Sequence, residues 1–370
     1  MKRMVGAALG ATAAGLLARA AWGVPAAMGA RNLRAVARGE RAERVRRSPQ
    51  FRDGKFRNQH PTQSTPDGDT RDLIKRYRAD RDRRKPRGIV PLVTPSSDVT
   101  RTDGLYVTWY GHASTLVELD GARVLFDPVW SDRVSPSARL GPKRIHPVPV
   151  SIDELPTLDA IVISHDHYDH LDLPTVRALV RTQVAPFVVP LGIGAHLERW
   201  QVPADRIVEL DWNESTTAGP LRLTATPAQH FSGRGLSRDE TLWASWVVAG
   251  PRRRVFYSGD TGYFDGFARI GAEHGPFDVA LVQIGAYDTM WPDIHMTPEQ
   301  GVATHVDVQA HVLIPVHWAT FTLGLHAWGE PVDRLWREAK AQDVTLVVPK
   351  PGERVDIDAP PAVDGWWQTL

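Results

Sequence analysis

The chain has 370 residues, with 44 Lys+Arg, 43 Asp+Glu, 14 His and no Cys. The lack of cysteine excludes disulfides, thiol nucleophiles, iron–sulfur clusters and Cys-type zinc sites, so any metal site must be built from imidazole and carboxylate; a hydrophobic content of 42% excludes wholesale disorder. The net charge of +1 conceals an asymmetry, because residues 1–100 hold 22 basic and 9 acidic side chains while residues 101–370 hold 22 and 34, the pattern of a basic front joined to an acidic body.

Residues 1–30 open with Met-Lys-Arg, run apolar from Met4 to Leu17, and continue past Arg19 with small residues to Ala30. Fourteen helical residues reach about 21 Å against roughly 30 Å of bilayer hydrocarbon. The segment is short for a spanning helix and reads as an export signal or a retained membrane-surface anchor, with an ordinary Ala-rich helix as the third reading. Residues 31–100 are polar and Arg-rich, punctuated by Asp53-Gly54 and Pro66-Asp67-Gly68-Asp69. This is expected to be a basic arm, extended or partly disordered or wrapped on the body. Its charge suits anionic lipid headgroups. It carries no recognition motif or stacking aromatics for nucleic acid, which is not an expected partner.

From Leu105 the pattern changes to short β-rich runs at 105–110, 114–119 and 122–126, with Asp120-Gly121 as a hairpin signal between the last two. Asp159–Ser164 reads as a fully buried strand, and a helix is predicted near Leu173 with Pro174 in its first turn. Further strands are predicted at 187–189, 207–210, 221–226, 245–248, 255–258, 279–284, 312–316 and 345–348, and helices at 297–305 and 332–342. Hairpins first and strand–helix alternation later indicate a layered α/β (α+β) domain. The pairs Trp243/Trp246 and Trp366/Trp367 are expected to pack in the core or at its edge.

The densest chemistry is Ser164-His165-Asp166-His167-Tyr168-Asp169-His170-Leu171-Asp172, between an apolar strand and a helix. Imidazole and carboxylate are natural ligands of Zn²⁺ and similar divalent metals. Alternate residues of an extended segment point the same way, so His165 and His167 can bind one ion together, while the following turn brings Asp169 and His170 towards a second. More candidates stand just past later strands: His230, Asp260 and His317, where loops gather at one edge of a sheet.

In that order these residues resemble the ligand motifs of the metallo-β-lactamase superfamily. Longer segments are similar to one branch of it, the N-acyl-phosphatidylethanolamine-hydrolysing phospholipase D family. They include Trp109-Tyr-Gly-His112-Ala-Ser, Gly141-Pro-Lys-Arg144, Ile163–Asp172, Leu242-Trp-Ala-Ser-Trp246, Gly259-Asp-Thr-Gly-Tyr263, Ile284-Gly-Ala-Tyr287 and His317-Trp-Ala-Thr-Phe321. The resemblance implies an αββα sandwich over residues 101–355, with the basic extension before it and a C-terminal tail at 356–370. It implies two Zn²⁺ (or other divalent ions): one on His165, His167 and His230, one on Asp169, His170 and His317, with Asp260 bridging. It implies phosphodiester hydrolysis by a metal-held hydroxide, releasing phosphatidic acid and an N-acylethanolamine from a membrane phospholipid. His295 matches a family histidine near the site and is expected to contact the phosphate or help the leaving oxygen gain a proton. His112 is a candidate to orient a ligand, and Asp127-Pro128 is read as a strand end near the site. The loops at 231–242 and around Met290–Asp293 depart from the family pattern. A lactonase or other ester hydrolase on a soluble substrate is the rival enzyme reading, and a lipid-binding envelope protein with a vestigial site is the non-enzyme one. The front implies a membrane-associated or exported protein, with a cytoplasmic-face membrane protein as the alternative.

Overall fold

The computed structural model describes residues 35–64, 75–76, 78–79, 81–95, 103–235 and 237–370; the signal or anchor expected at 1–30 lies outside them. In chain order the front contributes α1 (Gly39–Arg47), β1 (Phe51–Arg52) and β2 (Lys55–Phe56). The body begins with β3 (Leu105–Gly111), β4 (Ser114–Leu119), β5 (Ala122–Phe126), β6 (Ala160–Val162), α2 (Leu173–Thr182), β7 (Phe187–Pro190), α3 (Gly194–Arg199) and β8 (Ile207–Leu210). It continues through β9 (Ser215–Ala218), β10 (Leu221–Thr226), β11 (Ser245–Ala249), β12 (Arg254–Tyr257), α4 (Gly266–His274), β13 (Phe277–Gln283) and α5 (Pro298–Asp307). The last elements are β14 (Ala310–Val316), α6 (Glu330–Ala341), β15 (Thr345–Leu346) and β16 (Arg354–Asp356).

The strands form two seven-stranded sheets, ordered β16-β3-β4-β5-β6-β7-β8 and β15-β14-β13-β12-β11-β10-β9. Each has an antiparallel part and a parallel part, parallel from β5 to β8 in the first and from β12 to β15 in the second. Asp120 and Gly121 take φ of 50° and 80°, the left-handed pair that a two-residue hairpin turn requires, and so set the register Leu119↔Ala122.

Period-2 alternation makes the layers. In the first sheet Val107, Trp109, Val117, Val124, Phe126, Val162 and Val188 point into the core shared with the second sheet. Leu116, Leu125, Ile161, Ile163, Phe187 and Val189 point outward under Val176 and Leu179 of α2 and Leu197 of α3. Helices α4, α5 and α6 supply Phe267, Val302 and Leu335 to the cover of the second sheet. The result is the αββα sandwich. Phe126 and Phe256 are fully buried in it, each contributing about 1.5–3 kcal/mol of hydrophobic burial. The C-terminal Trp366 and Trp367 are buried beside Trp318, and Trp367 Nε1 donates to Asp333 at 2.8 Å.

Part of the described front is folded against the body. Gly39–Arg47 is a helix, and Asp53-Gly54, with φ of 54° and 74°, turns β1 into β2. Arg41 forms a bidentate pair with Glu198 at 2.7 and 2.8 Å and also reaches Glu209; Arg44 pairs with Glu214. Phe56 is buried in the main core, and its N–H donates to Asp239 O at 2.7 Å. Among the described residues no helix is long and apolar enough to cross a membrane.

Candidate metal centre

The histidines and aspartates singled out in the sequence sit where strand ends from both sheets meet. His112 follows β3, Asp127 follows β5, and the 165–170 segment follows β6; Asp260 follows β12 and His317 follows β14. The two sheets are stitched there by His317 N donating to His112 O at 2.8 Å. His112, Asp127 and His317 all hold left-handed backbone, with φ of 53°, 38° and 63°, a strained conformation that a fold retains where the surroundings over-determine it.

Two sets of donor atoms converge. In one, His165 Nε2 lies 2.8 Å from His167 Nδ1, which lies 3.3 Å from His230 Nε2. In the other, His317 Nε2 lies 3.3 Å from Asp169 Oδ2, and His170 Nε2 lies 3.6 Å from the same oxygen. Asp260 Oδ2 stands between the sets, 3.2 Å from His170 Nε2, 3.1 Å from His317 Nε2, 3.8 Å from His230 Nε2 and 3.9 Å from His165 Nε2. All seven residues named from the sequence are therefore brought together. His112 adds its Nε2 at 2.9 Å from Asp169 Oδ2. His295 lies against both sets, its ring centroid 5.2 Å from that of His230 and 5.3 Å from that of His317.

One role was not read from the sequence. Asp127, taken only as a strand end, is fully buried, and its Oδ1 accepts from Ser164 N at 2.7 Å. Its Oδ2 accepts from His170 Nδ1 at 2.6 Å, from Ser164 Oγ at 2.5 Å and from Tyr257 OH at 2.5 Å. Ser164 Oγ in turn accepts from His165 Nδ1 at 2.9 Å. One carboxylate thus fixes the tautomers of two histidines in different sets, directly and through a serine, leaving both Nε2 atoms to face the site. His230 Nδ1 donates to Ile294 O at 2.9 Å, with the same effect. The signal available for Asp127 was positional: a carboxylate directly after a fully apolar strand on the edge where the other site residues stand.

The loop behind the motif is tied down as well. Asp166 Oδ1 accepts from Gly233 N at 2.7 Å and its Oδ2 lies 3.2 Å from His196 Nε2. Arg234, buried over the Tyr168 ring, donates to Asp166 O and Leu171 O. At the neighbouring loop Gly259 has φ of 55°, and a Cβ there would meet Ser164 Cβ at 2.7 Å and Ala244 O at 2.9 Å.

The electrostatics are those of a site shaped for cations. Burial holds the imidazoles of His165 and His230 well below their ordinary range, reinforced for His165 by His170 and for His230 opposed, without being overcome, by Asp260. Burial would raise the carboxyls of Asp169 and Asp260, but His170 and the other imidazoles outweigh it and hold both well below the usual carboxylate range. His170 moves the other way: against burial, Asp260, Asp169 and Asp127 lift it well above its ordinary value. Burial lowers His295 to about 3, so it is neutral at pH 7. His170 Nε2 and Asp260 Oδ1 are buried without a hydrogen bond, an expensive arrangement for polar atoms unless a further partner binds them. Nitrogen and oxygen donors around ionised carboxylates fit borderline divalent metals.

Apolar side chains flank the cluster. Phe231, Met290, Trp291, Ile294 and Leu325 form one group, with Phe231 edge-on to His167 at 4.5 Å. Phe321, Leu323, Val129 and Val134 form another, with Phe321 edge-on to His112 at 5.1 Å.

A family profile described as a beta-lactamase superfamily domain matches residues 122–318. The chain is 51% identical over 363 residues to an uncharacterized protein of Mycobacterium tuberculosis, covering 95% of this chain and 94% of that one. It is 39% identical over 266 residues to the N-acyl-phosphatidylethanolamine-hydrolyzing phospholipase D 1 of Caenorhabditis elegans, covering 67% and 74%. Among solved structures it is similar to Igni18, a metallo hydrolase of Ignicoccus hospitalis, with a TM-score of 0.53, 23% identity, and coverage of 68% of this chain and 97% of that one; this last likeness concerns the fold.

Proposed function

The chain belongs to the beta-lactamase superfamily, and we propose that within it this protein is a binuclear metal-dependent phosphodiesterase that cleaves N-acylated phosphatidylethanolamine-like lipids to phosphatidic acid and an N-acylethanolamine. The observation that carries the reading is two three-residue donor sets joined at the single carboxylate of Asp260, between two apolar clusters. In this reading His165, His167 and His230 hold one zinc ion, Asp169, His170 and His317 hold the other, and Asp260 serves both. When bound, such a pair supplies Lewis-acid polarisation of a phosphoryl oxygen and an acidified water.

The protein's own groups do the rest. Asp127, Ser164 and Ile294 O fix the faces that His165, His170 and His230 present. His112 donates to Asp169 and keeps that carboxylate turned to the site. His295, neutral at pH 7 and with a buried Nδ1 that has no hydrogen-bond partner, is available to donate a hydrogen bond, though not a proton, to a phosphoryl or leaving oxygen. The Phe231 and Phe321 groups give acyl chains apolar surface and keep bulk water from the reacting phosphate. The lipid substrate makes a membrane surface the inferred place of action.

The test is metal analysis with a substrate panel on the full chain, because residues 51–64 touch the site loops. Two equivalents of Zn²⁺ and turnover of N-acyl-phosphatidylethanolamine vesicles are expected. Fewer than two ions per chain removes the binuclear reading. Lactone hydrolysis without phosphodiester turnover makes the protein an ester hydrolase of the same superfamily instead.

A further inference from the structure

His230 stands on a loop, four residues beyond the end of β10, where no strand partner fixes its backbone. Its two backbone groups are taken up by a side chain from the opposite end of the sequence. Asn58 Nδ2 donates to His230 O at 2.7 Å, and His230 N donates to Asn58 Oδ1 at 3.1 Å. The same Oδ1 accepts from Trp243 Nε1 at 2.9 Å, and Trp243 also donates to Ala228 O at 3.0 Å. The amide therefore acts as one rung of a β-ladder, pairing with both backbone groups of a single residue and braced by a buried indole.

Asn58 is not an isolated contact. Gln63 N donates to Asp293 Oδ2 at 2.8 Å, and Gln63 Nε2 donates to Met290 O at 3.3 Å. Arg238 donates to Ser64 O at 3.3 Å, and Arg269 donates to Gln59 Oε1 at 3.0 Å. Phe56 seats the strap in the core. Residues 55–64 thus run across the loops that carry His230 and His295 and the helix that follows Asp260.

We propose that Asn58 is a positioning residue for His230, and that the segment of residues 58–64 is a built part of the metal centre and not a separate arm. The proposal rests on the metal reading above. His230 Nε2 reaches the site only if the loop holds its height above His165 and His167, and Ile294 O fixes the ring's tautomer but not the backbone beneath it.

The experiment uses the full chain, stripped of metal and titrated with Zn²⁺ against a chromophoric chelator, and separately loaded with Co²⁺ for its visible spectrum. Asn58→Ala and Asn58→Asp are compared with wild type and with Lys55→Ala. Lys55 lies in the same strap but makes only a surface contact with Asp239 at 4.0 Å. Asn58→Asp keeps the shape and the bond to Trp243 while setting a carboxylate oxygen against His230 O, so it remains able to fold. One of the two Zn²⁺ affinities is expected to fall by about tenfold or more in both Asn58 variants, with an altered Co²⁺ spectrum. The other affinity and the melting temperature of the metal-free protein should stay near wild type, and Lys55→Ala should change neither affinity. Unchanged affinities and spectra in both Asn58 variants overturn the proposal. So does an equal loss at both ions in step with a lower melting temperature, which would make Asn58 a folding residue only. A wild-type chain that takes up no Zn²⁺ refutes the metal reading itself.

Discussion

Replacing Asp127 with Asn tests how the centre is wired. Its Oδ1 accepts from the backbone N–H of Ser164, a donor that cannot turn, so the new amide must keep its oxygen there. The NH₂ then stands where Oδ2 was, facing Ser164 Oγ, Tyr257 OH and His170 Nδ1. The two hydroxyls can rotate and accept. The imidazole can accept only by moving its proton from Nδ1 to Nε2, the atom that faces Asp260 and the site. A lost charge-assisted hydrogen bond is worth about 1.5–3 kcal/mol, which corresponds to roughly a ten- to hundredfold loss of affinity. Ser164, once it accepts from the amide, is free to donate to His165 Nδ1 and turn that ring as well, so both ions should bind more weakly. The assay is Zn²⁺ titration against a chelator, with ¹⁵N NMR of the imidazoles to read the tautomers. Asp127→Asn protein with wild-type affinities and Nδ1-protonated His165 and His170 would refute the reasoning.

Asp260→Asn should abolish hydrolysis while the metal-free melting temperature stays within a few degrees, because the shared charge is lost and the packing is not; undiminished turnover contradicts the assignment. Gly259→Ala should cost about 2 kcal/mol or more, from the left-handed φ and from the meeting with Ser164 Cβ and Ala244 O. Urea unfolding of the metal-free protein measures this, and a change under 0.5 kcal/mol, roughly the scale of a neutral surface substitution, speaks against it. His305 is buried on α5 away from the site, and burial, with a smaller push from His311, lowers it to about 4. A depressed histidine is folded neutral, so its contribution is present above pH 6.5 and is lost as the pH falls towards 4, by up to roughly 3 kcal/mol. His305→Gln should flatten the stability profile between pH 6.5 and 4, and an unchanged slope would exclude this residue as a source of acid lability.

The sequence was most legible where local pattern and tertiary packing agree. The strands 114–119, 122–126, 207–210 and 221–226 coincide with the observed ones residue for residue, and Asp120-Gly121 marked the facing ends of the first two. Helices α2, α5 and α6 were anticipated near Leu173 with Pro174 in the first turn, at 297–305 and at 332–342, and the observed ends differ by a residue or two as frayed termini allow. The misses have physical causes. β9 reads Ser-Thr-Thr-Ala and is an edge strand held by register with β10, so it needs no apolar alternation. α4 has two glycines in nine residues and is stabilised by burying Phe267 and Ile270. Asp53-Gly54 carries the same turn signal as Asp120-Gly121, but its flanking strands are two residues each, too short to show alternation. Four of the site residues were visible because ligand types cluster at 165–170, and His230, Asp260 and His317 because each stands just past a predicted strand. Asp127, Ser164, Tyr257 and Asn58 were not, because their roles depend on which backbone or ring they face, which is set by the packing of both sheets.

That difference bears most on the basic front. A local excess of positive charge reads as a surface seeking an anionic partner, yet Arg41, Arg44, Lys55 and Arg76 face Glu198 and Glu209, Glu214, Asp239 and Asp288 of the body. The acidic excess of residues 101–370 is in part the complement of these cations. Such pairs, where exposed, are worth only about 0–1 kcal/mol each, so they do not by themselves hold the segment down. Phe56 in the core and the buried Val45 of α1 do that, and the ion pairs choose where along the body the segment lies. Charge that is already engaged inside the molecule is not available to a membrane. Any lipid affinity of the front must therefore come from the cations outside these pairs, and the apolar run at its beginning is the stronger candidate for membrane attachment.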